Sequence, residues 1–129
     1  MNTERDVAGQ GLAVAAESLY LINLMLAPGL AFVVLAWLWF QHRQTAPALA
    51  RCHLGQTFYV SLWGGALIIV ACAVFLWVFG WDWEWTWVFV IMYFTCVHST
   101  LILFGMLGLA KAMAGKPYVY PWIGPKGVC

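Results

Sequence analysis

Histidines, cysteines and acidic residues are the side chains through which this chain could do chemistry, and they are few. The 129 residues include three histidines, four cysteines and five acidic residues. His98 stands out because it lies near the middle of a long apolar stretch, and an ionisable group at mid-membrane depth marks a functional site by default. We favour the competing interpretation, a neutral histidine hydrogen-bonded between helices, because no acidic residue shares its depth.

A bound redox cofactor is the second possibility for these residues. Two histidines ligate haem when they lie at comparable depth on facing helices, but His98 lies on the order of 18 Å deeper by helical rise than His42 and His53. The pairs Cys52 with His53 and Cys96 with His98 each lack the four ligands of a structural zinc site. We predict no cofactor and no metal, and keep His98, His53 and His42 as candidates for contact with haem, quinone or copper.

No catalytic constellation accompanies them. The sequence has no Ser-His-Asp arrangement, no phosphate-cradling glycine loop and no paired catalytic carboxylates, so we predict that the protein is not an enzyme. Asp82 and Glu84 alternate with tryptophans in the segment 81–87, which is typical of an aromatic anchor at a membrane surface. The net charge of +1, without a basic stripe, excludes a nucleic-acid binder of the usual kind.

The elements that must position these side chains are membrane-spanning helices. Hydrophobic residues make up 64% of the chain and charged residues 9%, whereas a soluble domain carries about 25% charged residues. Three stretches without any charge, 18–42, 52–81 and 85–110, each exceed the roughly 20 residues that cross a bilayer as a helix. We predict an all-α membrane protein with three transmembrane helices.

The chain then divides into three parts. We predict a polar or interfacial N-terminal segment at 1–17, a three-helix transmembrane domain at 18–110 and a cytoplasmic basic tail at 111–129. Pro28-Gly29 interrupts the first helix, and we predict a kink there. The alternative is a shallow helical hairpin with its tip at Pro28-Gly29, whose arms of about 10–12 residues would be too short to cross.

Small residues predict where the helices meet other helices. Gly64 and Gly65 lie in the second span, and Gly105 and Gly108 lie one turn apart in the third. Helices approach closely at such positions in a membrane, where packing and polar contacts drive association. We predict that these faces bind other membrane subunits or a second copy of the chain.

The positive-inside rule predicts the orientation of the spans. Arg43 and Arg51 lie in the first connection, and Lys111, Lys116 and Lys126 lie in the tail. We predict that these two segments face the cytoplasm and that the N-terminus and the tryptophan segment face outward. No signal peptide is expected before the first span, and the location predicted is a bacterial inner membrane.

The two cytoplasmic segments form a candidate recognition face. Cations there can neutralise lipid phosphates and aromatic side chains can lie among headgroups, or the same residues can dock a partner protein. The candidates are Arg51, His53, Gln56, Lys111, Lys116, Tyr118, Tyr120 and Pro121.

The same segments carry a family resemblance. Arg51, His53, Gln56 and Thr57 open one span, and Lys111, Ala112, Gly115, Lys116, Tyr118, Tyr120 and Pro121 follow the last one. This pattern resembles the small Tic-twenty-like membrane proteins, a bacterial group related to a chloroplast import-translocon subunit. The resemblance implies a helical inner-membrane protein without a catalytic centre, with a role in translocation or complex assembly. Three predicted spans, rather than the four of the plastid relatives, argue against a pore.

Three functions are compatible with these observations. The first is a non-catalytic accessory subunit or assembly factor of a larger membrane complex, and this is our prediction. The second is a redox-associated subunit holding haem, quinone or copper. The third is a component that handles lipids or translocates a substrate.

Overall fold

The computed structural model describes residues 7–129, and every regular element in that range is an α-helix. The helices are α1 (Gln10–Met25), α2 (Leu30–His42), α3 (Ala48–Phe79) and α4 (Glu84–Met113). The all-helical prediction is confirmed, but four helices replace the three predicted. The predicted polar segment at 1–17 is divided, since α1 begins inside it and its first six residues lie outside the described range.

The predicted first span is two helices rather than one kinked helix. Pro28 has no backbone N–H with which to continue a helix, and Gly29 adopts a φ of 85°, which is the left-handed region that favours glycine. The Gly29 N–H donates to the side-chain oxygen of Asn23 at 2.9 Å, so the break leaves this donor satisfied.

Contacts at one end of the molecule show that α1 and α2 form a hairpin. Gln10, at the start of α1, donates from Nε2 to the carbonyl oxygen of Met113 at the end of α4, at 2.7 Å. Trp39, near the end of α2, packs on Gly55 near the start of α3. The chain therefore enters α1 and leaves α2 at the same end, and the less favoured alternative, the helical hairpin, is the arrangement observed.

The hairpin is much shorter than the pair formed by α3 and α4. At 1.5 Å per residue, α1 and α2 rise about 24 and 20 Å, whereas α3 and α4 rise about 48 and 45 Å. We call the end that holds the start of α1 the basal end, and the end at the turn 80–83 the distal end. The closest contacts of the hairpin with the long pair lie in the basal half, where Tyr20 and Glu17 of α1 meet Gly105 and Gly108 of α4.

The distal halves of α3 and α4 pack mainly against each other in the described chain. The hydroxyl of Tyr93 donates to the carbonyl oxygen of Leu67 at 3.0 Å, and the rings of Phe75 and Phe89 stack 6.4 Å apart. In the described residues these are the two helices long and apolar enough to cross a membrane. Within their most apolar 18-residue stretches, 6% of α3 and 11% of α4 are buried.

The predicted position of the N-terminal segment is wrong for the residues that the structure describes. Three full crossings would place it beside the tryptophan segment at the distal end. Instead Val7 packs on Gly115, just after α4, and Gly9 packs on Ala50 in the first turn of α3. The reason is the hairpin, which returns the chain to the basal end before α3 begins.

Three of the four glycines predicted to bind a partner are instead covered by other helices of the same chain. A Cβ at Gly105 would lie 2.6 Å from Tyr20, one at Gly108 would lie 2.5 Å from Glu17, and one at Gly64 would lie 3.0 Å from Leu101. The first two glycines pack against α1, and the third packs against α4. Only Gly65 has open space around it, with nothing within 4 Å.

The tail folds back over the basal half. The chain leaves α4 through Gly115, with a φ of 66°, and the Lys116 N–H donates to the Lys111 carbonyl oxygen at 2.9 Å, a common glycine-terminated helix end. It then runs along α3 and α4 as far as Trp122, whose ring meets that of Phe104 edge-on at 6.2 Å. A disulfide between Cys129 and Cys52 returns the tail to the basal end.

Gly105→Val tests the packing of α1 on α4. The added side chain meets Tyr20 and Leu21, and overpacking of this kind costs about 1–3 kcal/mol. We expect a loss of that size in the free energy of unfolding in detergent. Gly11→Val is the matched control, because nothing lies within 4 Å of a Cβ there; equal losses in the two variants would contradict the packing.

Candidate functional site

A buried carboxylate lies at the centre of the basal half. Glu17, in the middle of α1, is 0% exposed, and its Oε1 lies 2.5 Å from Nδ1 of His53 on α3, which is also 0% exposed. Tyr120, from the tail, donates its hydroxyl to Oε2 of Glu17 at 2.5 Å. Gly108 on α4 leaves the space that the carboxyl group fills. One side chain therefore joins two helices and the tail against a third helix.

The hydrogen-bond partners determine where the protons lie. Nε2 of His53 faces the carbonyl oxygen of Lys116 at 2.9 Å, and a carbonyl can only accept, so Nε2 carries a proton. One further proton is then held between Nδ1 of His53 and Oε1 of Glu17. The pair is neutral as a whole, which is the arrangement that burial without water requires.

Burial favours the proton on the carboxyl group. Desolvation raises the pKa of Glu17 above its ordinary value of 4.5, and this outweighs the opposing hydrogen bonds from His53 and Tyr120 and the charge of His53. Burial and the nearby Glu17 raise the pKa of Tyr120 as well, so its hydroxyl remains a donor. The Glu17–His53 contact thus holds one proton between the carboxyl group and the ring, and Tyr120 donates a second hydrogen bond to the carboxyl group.

Gln56 supports the tail one turn further along α3. Its Oε1 accepts the backbone N–H of Tyr120 at 3.1 Å, and its Nε2 donates to the carbonyl oxygen of Pro125 at 2.5 Å. A Cβ at Gly124 would collide with the same Gln56 oxygen, so only glycine fits there. A single amide side chain therefore satisfies two backbone groups of a segment that has no regular structure.

The structure separates the three histidines proposed as cofactor ligands. Both ring nitrogens of His53 are already hydrogen-bonded, and His42 approaches the Leu38 carbonyl oxygen with Nδ1 at 3.1 Å. His98 lies on the distal half of α4, with its ring stacked on Phe94 at 4.9 Å. Within residues 7–129 no three histidine, cysteine or acidic side chains are grouped so that they could hold a metal ion.

The predicted recognition residues meet at the basal end, but they divide into two groups. His53, Gln56 and Tyr120 are at most 1% exposed and bind one another's segments rather than an outside partner. The prediction that these three residues face outward is wrong, because their side chains are buried and their polar atoms form hydrogen bonds within the chain. The exposed members are the cations Arg51, Lys111 and Lys116.

The remaining predicted members of that face are partly buried. Tyr118 and Pro121, both in the tail, are half-buried, and the Tyr118 ring meets Tyr120 edge-on at 5.0 Å. The Tyr118 hydroxyl is buried and has no hydrogen-bond partner in the part of the chain that the structure describes. Burial and the nearby Glu17 raise the pKa of this hydroxyl.

Two functional features were missed in the sequence. Glu17 was assigned to a polar N-terminal segment, because a single acid before an apolar stretch gives no sign that it is buried. The Cys52–Cys129 disulfide joins residues 77 positions apart, with no CxxC spacing to reveal it. The signal for Glu17 in the sequence is weak, an acid next to one apolar stretch and His53 at the start of another.

Chemically, the Glu17–His53–Tyr120 cluster is closed. All three side chains are at most 1% exposed, so a substrate has no access to the carboxyl group or the imidazole. A fully satisfied buried network of this kind fixes the relative positions of the elements that it joins. Comparisons with family models, with curated proteins and with solved structures find no match to this chain.

Glu17→Gln and Glu17→Ala test the proton arrangement. Glutamine keeps the shape, donates to His53 and accepts from Tyr120, so we expect a loss below about 1 kcal/mol at pH 5. Alanine leaves two buried polar partners unpaired, at about 1–3 kcal/mol each, so we expect a loss of about 2–6 kcal/mol. Both are measured by unfolding in detergent, and equal losses would show that the neutral pair is not the native arrangement.

The pH dependence tests the raised pKa of Glu17. The folded protein keeps a proton on this carboxyl at pH values where the unfolded chain has released it, so this contribution to stability is full below pH 4.5 and falls as the pH rises. Glu17→Gln has no such proton. We therefore expect the stability of the wild type relative to Glu17→Gln to fall above pH 4.5, by up to about 1.4 kcal/mol per pH unit. A constant difference from pH 4.5 to 8 would contradict the shift.

Proposed function

We propose that this chain is a non-catalytic integral-membrane subunit, acting as an accessory component or assembly factor of a larger complex. In this proposal α3 and α4 cross the membrane, the α1–α2 hairpin enters it from the basal side, and the distal faces of α3 and α4 bind partner helices. The observation that carries the proposal is the contrast between a closely packed basal half and a bare distal half.

The bare distal half supports insertion into a membrane. Large apolar side chains point outward along both helices, among them Ile69 at 70% exposed, Trp77 at 86% and Ile91 at 60%. The core helix of a water-soluble protein would bury such residues. Tryptophans at the distal turn fit the level of the lipid headgroups, where an apolar ring with one polar N–H is favoured.

The length of the hairpin supports its entry from one side. Its arms of about 20 to 24 Å fall short of the roughly 30 Å hydrocarbon core. Its tip is apolar and exposed, with Leu26 at 79% and Leu30 at 71%. These side chains are covered when the tip lies in lipid and the basal end lies at the surface.

The charges support a cytoplasmic position for the basal end. Arg43, Arg51, Lys111, Lys116 and Lys126 are all exposed in segments at that end, and the distal turn carries Asp82 and Glu84 instead. By the positive-inside rule this distribution favours a cytoplasmic basal end, and we propose a bacterial inner membrane as the location. The N-terminus is on the same side in this proposal, because α1 starts at the basal end.

Polar side chains on the distal half of α4 support a partner. Thr95 and Ser99 are exposed one turn apart, beside the half-buried His98, at a depth where lipid offers no hydrogen bonds. On α3, Gly65 is the one predicted docking glycine with free space. A partner helix would cover both features, whereas the closed Glu17 cluster gives no support for catalysis. The Tic-twenty-like resemblance is compatible with the same role.

Gly65→Leu tests partner binding without disturbing the fold. The protein is captured from membranes in a mild detergent, and the chains that come with it are identified and quantified. We expect Gly65→Leu to keep the free energy of unfolding of the wild type. We expect the amount of associated chains recovered with it to fall at least tenfold. Gly11→Leu is the matched control, because it adds the same side chain to open space at the basal end. Wild-type protein that is captured alone, or equal recovery with both variants, would overturn the proposal.

A further inference from the structure

The tail is attached to the basal half in two different ways. Hydrogen bonds reach it from His53, Gln56 and Glu17, and a disulfide joins Cys129 to Cys52, whose Cα atoms are 4.6 Å apart. Three of these partners, Cys52, His53 and Gln56, lie within five residues of one another on α3. The covalent bond therefore reinforces a contact surface that already exists.

The two cysteines of this disulfide differ in their exposure. Cys52 is 2% exposed, whereas Cys129 is exposed. Both border a cavity of about 400 Å³ at the basal surface, which is also lined by Arg51 and Pro117. A cation beside the cavity favours the approach of a thiolate, the reactive form of a thiol.

The disulfide lies at the end of the molecule that carries the cations. If that end faces the cytoplasm, the bond lies in a compartment that keeps protein thiols reduced and where disulfides are usually transient. We propose that Cys52–Cys129 is a reversible thiol–disulfide site whose reduction by a dithiol releases the tail from α3. The compartment rests on the proposed orientation, but the exposure of Cys129 does not.

The exchange takes place in two steps. One thiolate of the dithiol attacks Sγ of Cys129, the S–S bond breaks, and Sγ of Cys52 leaves as a thiolate that takes up a proton. The carbonyl oxygen of Tyr118, 3.6 Å from that sulfur, can accept the new S–H. The second thiolate of the reductant then displaces Cys129 from the mixed disulfide. The dithiol ends as a disulfide, and the protein gains two electrons and two protons.

Release of the tail has consequences inside the basal half. The Tyr120 hydroxyl leaves Glu17, and the backbone groups held by Gln56 lose their partner. The carboxyl and imidazole groups, closed in the oxidised protein, become accessible from the basal surface. The redox state of two cysteines thus controls access to the polar cluster.

Thiol trapping tests whether the site is reversible. The free cysteines are first removed by Cys72→Ala and Cys96→Ala. Growing cells are quenched in acid and labelled with a maleimide polymer, which retards the protein on a gel once for each free thiol. We expect a large doubly labelled fraction that falls at least fivefold after treatment with diamide. A protein that stays unlabelled in growing cells has a permanent disulfide, and that result overturns the proposal.

Hydrogen exchange of the purified full chain tests whether reduction frees the tail. With dithiothreitol we expect amides in 118–128 to exchange at least tenfold faster, while those in the basal half of α4 stay unchanged. Cys129→Ser should exchange like the reduced protein without reductant. Unchanged protection of the tail after complete reduction would overturn the proposal. Neither experiment uses a partner, so failed capture with Gly65→Leu and failed tail release are separate results.

Discussion

A carboxyl group removed from water must find donors and a neutral charge state, and Glu17 meets both needs with groups from distant parts of the chain. His53 comes from α3, Tyr120 from the tail, and the space comes from Gly108 on α4. Removing any one of them leaves a buried polar group unpaired, which costs more than the contact contributes. The position of α1 and the path of the tail both follow from this requirement.

Different interactions hold α3 and α4 in their basal and distal halves. In the basal half, buried polar groups determine which elements meet, and glycines let Tyr20 and Glu17 approach α4 closely. In the distal half there is no polar network within the described chain, and α3 and α4 pack through aromatic rings such as Phe75 and Phe89. Such a pair has little packing of its own, and most of the apolar surface of α3 and α4 is left uncovered within the described chain.

The sequence was sufficient to predict helices but not their number or direction. The proline and glycine at 28–29 predict an interruption of the helix. An interruption alone does not tell whether the helix is kinked or the chain reverses its direction. That choice depends on whether Tyr20 and Glu17 find space at Gly105 and Gly108 on α4, which lie 85 and 91 positions further along the chain. The same limit explains the docking glycines, since a small residue indicates close approach without saying whether the neighbour is internal or external.

The tail can be irregular because the surface on which it lies provides hydrogen-bond partners for its backbone. Backbone groups without a helix need partners wherever water is scarce, and Gln56 provides one for Tyr120 and one for Pro125. That surface exists because the hairpin has already fixed Glu17 beside His53. The tail can therefore dock only on an assembled basal half, whereas α3 and α4 can pair without it. A covalent bond that closes the tail thus acts after the helices are in place, and its reduction removes the last element to dock while leaving the helices paired.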